Sequence, residues 1–408
     1  MLKKAFLAAV GAICVTLTAT EAVQAAIFEV VASGLDNPRA FTFGPDGALY
    51  ITEAGTGGPS DKCVPSPSQP GASLCYGQTG AVTRVQNGVQ ERVLTGFPSI
   101  GLSNGDGSYG PHDIAFTPDG KAYVLVGFAS DSRNRENVVE DSNIGQIHVV
   151  NSFDGGASWT PVADVLGYEL GNDPDKAGFI SNPYSFVIQN GTAYVVDAGA
   201  NTFLRAELDG SGVALERLLE SRLEPHPFTG EPALTESVPT AVVVGPDGAL
   251  YVAELTGRPY PEREARIYRI VPGNEPEIYA DNFTQIVDLG FDSKNNLYVL
   301  QYADASLTND SESGVLNRLG SLIRVTPDGT RTTVESGLVS PNSLLVGSDD
   351  SIYISEYATF AGKGQIVRFD PRKSVPEPTS ALSLLAFGAF GTFLLSKHNK
   401  GSSIKVLN

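Results

Sequence analysis

The sequence predicts an all-β fold, a six-bladed β-propeller over about residues 26–371. Three observations predict it. A short unit with a tyrosine at a fixed place recurs six times. A second unit, usually ending in arginine, follows it. The segment after Ala25 matches the lead-in to the sixth copy. Short strands repeating every roughly 50 to 70 residues are the mark of propeller blades. No segment has the length and period of an amphipathic helix.

The tyrosine copies centre on Tyr50, Tyr123, Tyr194, Tyr251, Tyr298 and Tyr353, as in FGPDGALYITE (43–53) and VGPDGALYVAE (244–254). In each blade a short apolar run such as Ala40–Phe43 makes the innermost strand. A Pro-Asp-Gly turn follows in three copies: proline presets φ, aspartate bonds its own backbone, and glycine accepts positive φ. The aromatic and β-branched stretch around each tyrosine is the second strand. The third strand carries GAVTR (80–84), GQIHV (145–149), NTFLR (201–205), ARIYR (265–269), GSLIR (320–324) and GQIVR (364–368). A fourth strand closes each blade except the last, where the chain runs into DPRKSVPEP. There FEVVASGLDNP (28–38) resembles RTTVESGLVSP (331–341). The N-terminal strand is therefore expected to complete the sixth blade and close the ring, removing exposed sheet edges.

The two ends read as addresses. Residues 1–25 carry Lys3 and Lys4, an apolar stretch from Ala5, and small residues at Val23 and Ala25, which is a secretory signal peptide. Gly11-Ala12-Ile13 before Cys14 is a poor lipoprotein box. Residues 372–408 hold Pro376-Glu377-Pro378, an uncharged apolar segment at 381–395 and a basic cluster, Lys397, His398 and Lys400. That three-part order resembles the PEP-CTERM sorting signal. The resemblance implies recognition by an exosortase-type protease and contact with the membrane before processing. A plain C-terminal anchor is the other reading of the apolar segment.

Composition agrees with export. The full chain has 28 basic and 46 acidic residues. Setting aside Lys3, Lys4, Lys397, Lys400, Lys405, Glu21 and Glu377 leaves the propeller about −21. Such a surface excludes nucleic acid as a partner and repels anionic lipid. Cys63 and Cys75 share one loop, CVPSPSQPGASLC, and in an exported protein such a pair is expected to form a disulfide.

In a propeller, residues before strand one and after strand two share a rim. Polar residues before strand one differ from blade to blade, and Asn37, Arg39, His112, Asn182, Tyr184 and Asn342 are the ligand-binding candidates. After strand two, Glu53, Asp197, Glu254 and Glu356 are carboxylates. They suit a hard cation such as Ca²⁺, or structural use by strand-three arginines or loops. The long connections 54–79, 128–144, 167–181, 219–237 and 302–319 open on this rim. There is no H-E-x-x-H, G-x-S-x-G or P-loop, so the catalytic residues are unknown and binding is favoured over catalysis.

SGLDNPRAFTFGPDGALYITEAGTGG, with GPHDIAF, SNPYSF, SVPTAVVVGPDGALYVAELTG, RIYRIVPG and LIRVTPDGTRTTVESGL, resembles the ScyD/ScyE family of exported cyanobacterial proteins. The resemblance implies an NHL-like or TolB-like propeller and an association with the extracellular indole–phenol pigment scytonemin. It implies no mechanism. The leading expectation is an exported propeller that binds a small molecule, glycan or protein at the cell envelope or in the extracellular matrix. The alternatives, by analogy of fold, are a metal-dependent lactonase or esterase, and a quinone-dependent sugar dehydrogenase with Arg39 and His112 in the cofactor pocket.

Overall fold

Each tyrosine of the repeat lies directly opposite the residue that ends the strand-three motif. The antiparallel partners are Tyr50 and Arg84, Tyr194 and Arg205, Tyr251 and Arg269, Tyr298 and Arg324, and Tyr353 and Arg368. Blade 2 pairs Tyr123 with Val149 instead. Facing side chains on neighbouring strands pack against each other, so the two sequence signatures are one cross-strand contact repeated around the ring. At this end of the blade the arginines meet the turn carboxylates. Arg269 reaches Asp247 at 2.6 Å and Arg368 reaches Asp349 at 2.8 Å.

The computed structural model describes residues 28–154, 156, 158–307 and 318–372. The expected signal peptide, Pro376-Glu377-Pro378 and the apolar segment 381–395 lie outside them. No helix among the described residues is long and apolar enough to cross a membrane.

Six antiparallel sheets of at least four strands form the ring. Blade 1 is Pro38–Phe43, Leu49–Glu53, Ser73–Gln86 and Val89–Gly101. Blade 2 is Pro111–Phe116, Ala122–Val126, Gln146–Val150 and Trp159–Asp164. Blade 3 is Pro183–Gln189, Thr192–Asp197, Thr202–Glu207 and Val213–Leu218. Blade 4 is Pro239–Val244, Leu250–Glu254, Ala265–Ile270 and Glu277–Phe283. Blade 5 is Ile286–Phe291, Leu297–Gln301, Leu319–Val325 and Arg331–Val339. Blade 6 is Leu344–Val346, Ile352–Glu356 and Gly364–Phe369, completed by Glu29–Leu35.

The closing strand pairs Glu29 with Arg368, Val30 with Val367 and Ala32 with Ile366, with a bulge after Val30. Phe28 stacks edge-on against Phe369 at 5.1 Å. The second strands 49–53, 122–126, 250–254 and 297–301 are buried along their whole length, which explains their unbroken apolar and aromatic character. The core lies between blades. Between blades 2 and 3, for example, Leu125, Ile147, Phe186, Val195 and Leu204 interlock.

Polar side chains of the inner strands tie neighbouring blades. Asp113 accepts the Phe186 N–H at 2.9 Å, and Asp288 accepts the Leu344 N–H at 2.7 Å and the Ser343 hydroxyl at 2.8 Å. The Thr52 hydroxyl donates to the His112 carbonyl, and the Thr240 hydroxyl to the Ile286 carbonyl. These bonds satisfy inner-strand groups that a four-stranded blade leaves open.

The long connections carry structure of their own. Cys63–Pro65 adds a short strand to blade 1, and Cys63 and Cys75 are disulfide-bonded across it with Cα atoms 4.0 Å apart. Arg222–Pro225 and Pro232–Thr235 make a hairpin before blade 4. The sequence shows no helix, yet residues Val165–Asn172 form one before blade 3. Asp164 caps its start by accepting the Gly167 N–H at 2.8 Å. Asp173, left-handed at φ 42° and followed by Pro174, ends it. Eight residues are too few for a period to register.

Candidate functional site

Chain entry into the inner strands shapes the loop-rich rim. Asn37, Val238, Gln285 and Ser340 hold the same place in four blades, one residue before the inner strand or its entry, and all have positive φ, from 44° to 52°. For a β-branched residue such as Val238 this is a strained conformation that its surroundings must impose. The last residue of strand two supplies part of that restraint, and in blade 3 it binds the entry in the same way. Glu53 accepts the Asp36 N–H at 2.7 Å, Asp197 the Asn182 N–H at 2.6 Å, Gln301 the Thr284 N–H at 2.8 Å and Glu356 the Val339 N–H at 3.1 Å.

The four carboxylates considered for a cation are thus engaged by nearby protein groups, Glu356 by the last residue of blade 5. Glu53 also takes Arg92 at 2.6 Å, from the fourth strand of blade 1. Glu254 binds Arg222 of the inserted hairpin and the Ser237 hydroxyl, the latter at 2.7 Å. Asp197 also accepts the Gly199 and Ala200 N–H groups, and Glu356 takes the Gln365 side chain at 3.2 Å. The strand-three arginines named as alternative partners sit at the other rim. Among the described residues the four do not converge. The acidic trio whose oxygens do converge is Glu169, Asp173 and Asp175.

Inside this frame lies a cavity of about 1520 Å³, lined by blade ends and by connecting loops around the ring. Arg39, Asn182, Tyr184 and Asn342 line it, whereas Asn37 and His112 sit behind its surface. Sequence reasoning missed Tyr109, Tyr260, Tyr302, Arg258 and Arg318, which come from the connecting loops. The disulfide loop contributes Ser66 to Pro70, so the staple also shapes the pocket.

Arg39 dominates the chemistry of the wall. It is 5% exposed. One Nη donates to the Ser108 carbonyl, Nε has no partner, and the guanidinium lies 5.6 Å from the Tyr109 ring centroid. Among the described residues no carboxylate lies within ion-pair distance of it, nor of Arg258 or Arg318; every such pair involves other basic residues. A buried cation without a counter-charge is costly and is retained where something else supplies the charge.

His112 lies between Tyr109, whose ring is 5.8 Å away and nearly parallel, and Tyr184 at 5.2 Å. Its Nδ1 is 2.8 Å from the Gly110 carbonyl, which places the proton there, and Nε2 has no partner. Burial, reinforced by the Arg39 charge, pushes its pKa down to about 3. The ring is therefore neutral at ordinary pH and offers Nε2 as an acceptor. Gly127 makes room for it, since a Cβ there would fall 2.3 Å from Nδ1 and 3.0 Å from Asn182 Oδ1. That Asn182 oxygen also lacks a partner. The site thus combines a cation, two open acceptors and a ring of tyrosines.

No family model matches the chain, and no curated protein matches it. Among solved structures it is similar to a glucose dehydrogenase at 13% identity, over 84% of this chain and 98% of that one, with a TM-score of 0.46. Virginiamycin B lyase from Staphylococcus aureus shares 11% over 84% and 99%, with a TM-score of 0.44. A nidogen/laminin complex shares 16% over 70% and 84%, with a TM-score of 0.41. No residue role transfers at these identities, and the six blades stand on the strand pairing above.

Proposed function

We propose that this propeller is an exported binding protein whose channel mouth takes a small ligand carrying an aromatic ring and an anionic group. The observation that carries the reading is Arg39, buried in the cavity wall with no carboxylate within ion-pair distance among the described residues. Tyr109, Tyr184, Tyr260 and Tyr302 supply apolar faces with polar tips, suited to stacking a planar ligand. Asn182, on the cavity wall, offers a side-chain oxygen to its hydroxyl or N–H groups, and His112 stands behind the wall against Tyr109 and Tyr184. A histidine held neutral down to about pH 3 is a weak base, which favours binding over general-base catalysis. The resemblance to ScyD/ScyE proteins supports an indole- or phenol-derived ligand at the cell envelope. The disulfide suits an oxidising compartment. The proposed route there is signal-peptide export followed by exosortase-type sorting through the C-terminal membrane segment.

Calorimetric titration tests the reading. Benzoate, 4-hydroxyphenylacetate and indole-3-acetate are each compared with their neutral amides. The acids are expected to bind at least about tenfold more tightly than the amides, and R39M is expected to remove the difference. Equal affinity for acids and amides, or no binding of any probe, would refute it.

One observation favours a second reading. The unpartnered Nε2 of His112 stands beside a guanidinium, an arrangement that also serves a hydrolase, or a quinone-dependent dehydrogenase with Arg39 on the cofactor. Turnover of lactones by the purified protein, or a bound-quinone absorption band, would decide for it.

A further inference from the structure

Between blades 2 and 3 the chain runs Asp164-Val-Leu-Gly-Tyr-Glu169-Leu-Gly-Asn-Asp173-Pro-Asp175. The short helix at 165–172 delivers Glu169 inward, and its left-handed end at Asp173 turns the loop back so that Asp175 approaches the same point. One oxygen from each of Glu169, Asp173 and Asp175 lies within 4.8 Å of the others. That is the span of two bonds from oxygen to Ca²⁺ of roughly 2.4 Å each.

An acidic cluster alone would say little, since exposed carboxylates often gather without a purpose. Glu169 is different. It is 1% exposed, and neither of its carboxylate oxygens has a hydrogen-bond partner. The other buried rim carboxylates, Glu53, Asp197 and Glu254, accept four hydrogen bonds each. None of the ion pairs among the described residues involves Glu169, Asp173, Asp175 or Asp197. The charged groups that act on Glu169 are all acidic: Asp197 from the second strand of blade 3, then Asp175 and Asp173 from the loop. A carboxylate so placed calls for a positive charge that the protein itself does not supply.

We propose that Glu169, Asp173 and Asp175 form a divalent-cation site of the Ca²⁺ type at the base of the loop between blades 2 and 3. The donor set decides the class of ion. Three hard carboxylate oxygens with no histidine or thiol exclude the softer transition metals as preferred occupants, and an irregular loop suits the variable coordination of Ca²⁺ better than the strict octahedron of Mg²⁺. The remaining ligands come from backbone carbonyls or water. The Asp173 and Asp175 side chains already hold the loop from inside, accepting the Gly178 N–H at 3.3 Å and the Ala177 N–H at 2.9 Å. Asp175 also accepts from the Asn201 amide at 2.9 Å, and the Asn201 oxygen accepts the Val238 N–H at 3.0 Å. Val238 lines the channel mouth, so the cation would brace the rim from outside the ligand pocket. The inference does not depend on what the pocket binds.

The test uses the purified full chain, stripped with chelator and titrated with Ca²⁺. Tyr168 adjoins Glu169 in sequence, so Tb³⁺ bound at the site is expected to give tyrosine-sensitised luminescence that Ca²⁺ displaces, with a Kd on the order of 10⁻⁴ M or tighter. Ca²⁺ is expected to raise the melting temperature, and Mg²⁺ at the same concentration to raise it less. E169Q is expected to keep the fold and lose both the luminescence and the shift. D173N, on the exposed side of the cluster, gives the same readout should E169Q fold poorly. Absence of sensitised emission and of a Ca²⁺-dependent shift in the unmodified protein would overturn the proposal. So would an undiminished shift in E169Q and D173N, which would place the ion elsewhere.

Discussion

Asn342 of blade 6 donates a hydrogen bond of 2.5 Å to the hydroxyl of Tyr184 of blade 3. The two blades stand opposite each other in a ring of six, so this bond crosses the channel and joins residues 158 apart in sequence. Y184F removes the acceptor and leaves the Asn342 amide without a partner. It is expected to cost about 1–2 kcal/mol in urea-induced unfolding and to weaken binding of aromatic acids at the mouth. An unchanged midpoint would show that the bond contributes nothing net.

Replacing Arg39 separates stability from binding. R39M trades an unpaired buried charge for an apolar chain of similar length. Stability is expected to hold or to rise by up to about 2 kcal/mol, while affinity for anionic probes is lost. A large loss of stability would mean that the guanidinium is chiefly a structural donor to Ser108.

The disulfide closes a 12-residue separation. In the chain-entropy picture a loop of this size stabilises by about 3 kcal/mol. The C63S/C75S double variant is expected to unfold earlier by up to that amount. It should also bind pocket ligands less tightly, because Ser66 to Pro70 lose their anchor. Thiol titration of the exported protein, expected to find no free cysteine, checks the bond itself.

Acid should destabilise the fold through histidine. His148 is fully buried with both ring nitrogens unpartnered, and burial lowers its pKa to about 4; His112 falls to about 3. Unfolded, each titrates near 6.5. The unfolded state therefore binds more protons below about pH 6.5, and stability falls as pH drops through that window toward 4 and 3. Buried Asp113 and Asp288 act in the opposite sense, being raised to about 7 and 6, so the test is a difference. H148L is expected to gain on the unmodified protein as pH falls, by roughly 3 kcal/mol at pH 4. A pH-independent difference would exclude protonation of His148 as the cause.

Closure of the ring predicts the outcome of truncation. A chain beginning at Asn37 lacks the strand paired with Gly364–Phe369 and exposes that edge. It is expected to lose its cooperative melt and to aggregate. A single sharp transition at the original temperature would contradict the closure.

The blades are legible in sequence because local chemistry repeats there. Pro-Asp-Gly turns, a tyrosine facing an arginine and a buried second strand recur at similar places, and each is enforced within one sheet. The rim is legible only in part. Arg39, Asn182, Tyr184 and Asn342 follow from blade-end positions, whereas Tyr109, Tyr260, Arg258 and Arg318 arrive on loops with no period. Tyr302 was within reach, since it directly follows Gln301 at the end of a second strand. The partners of Glu53 and Glu254 were out of reach for the same reason: Arg92 lies on a fourth strand and Arg222 on an inserted hairpin, at unrelated distances along the chain. Glu169 gives no signal in one dimension, because what marks it is that no neighbour among the described residues donates to its carboxylate.

The pairing of Glu29–Leu35 with Gly364–Phe369 also sets the order of events in assembly. Glu29 and Arg368 meet across a separation of 339 residues. Contacts of such range are late and slow, because the loop they close must first be brought together. The N-terminal strand of the propeller has to wait for the partner at its C-terminal end, its hydrogen-bonding edge open meanwhile. The propeller is therefore committed only when the whole chain is available, and shielding of the early strand becomes a requirement of its biogenesis.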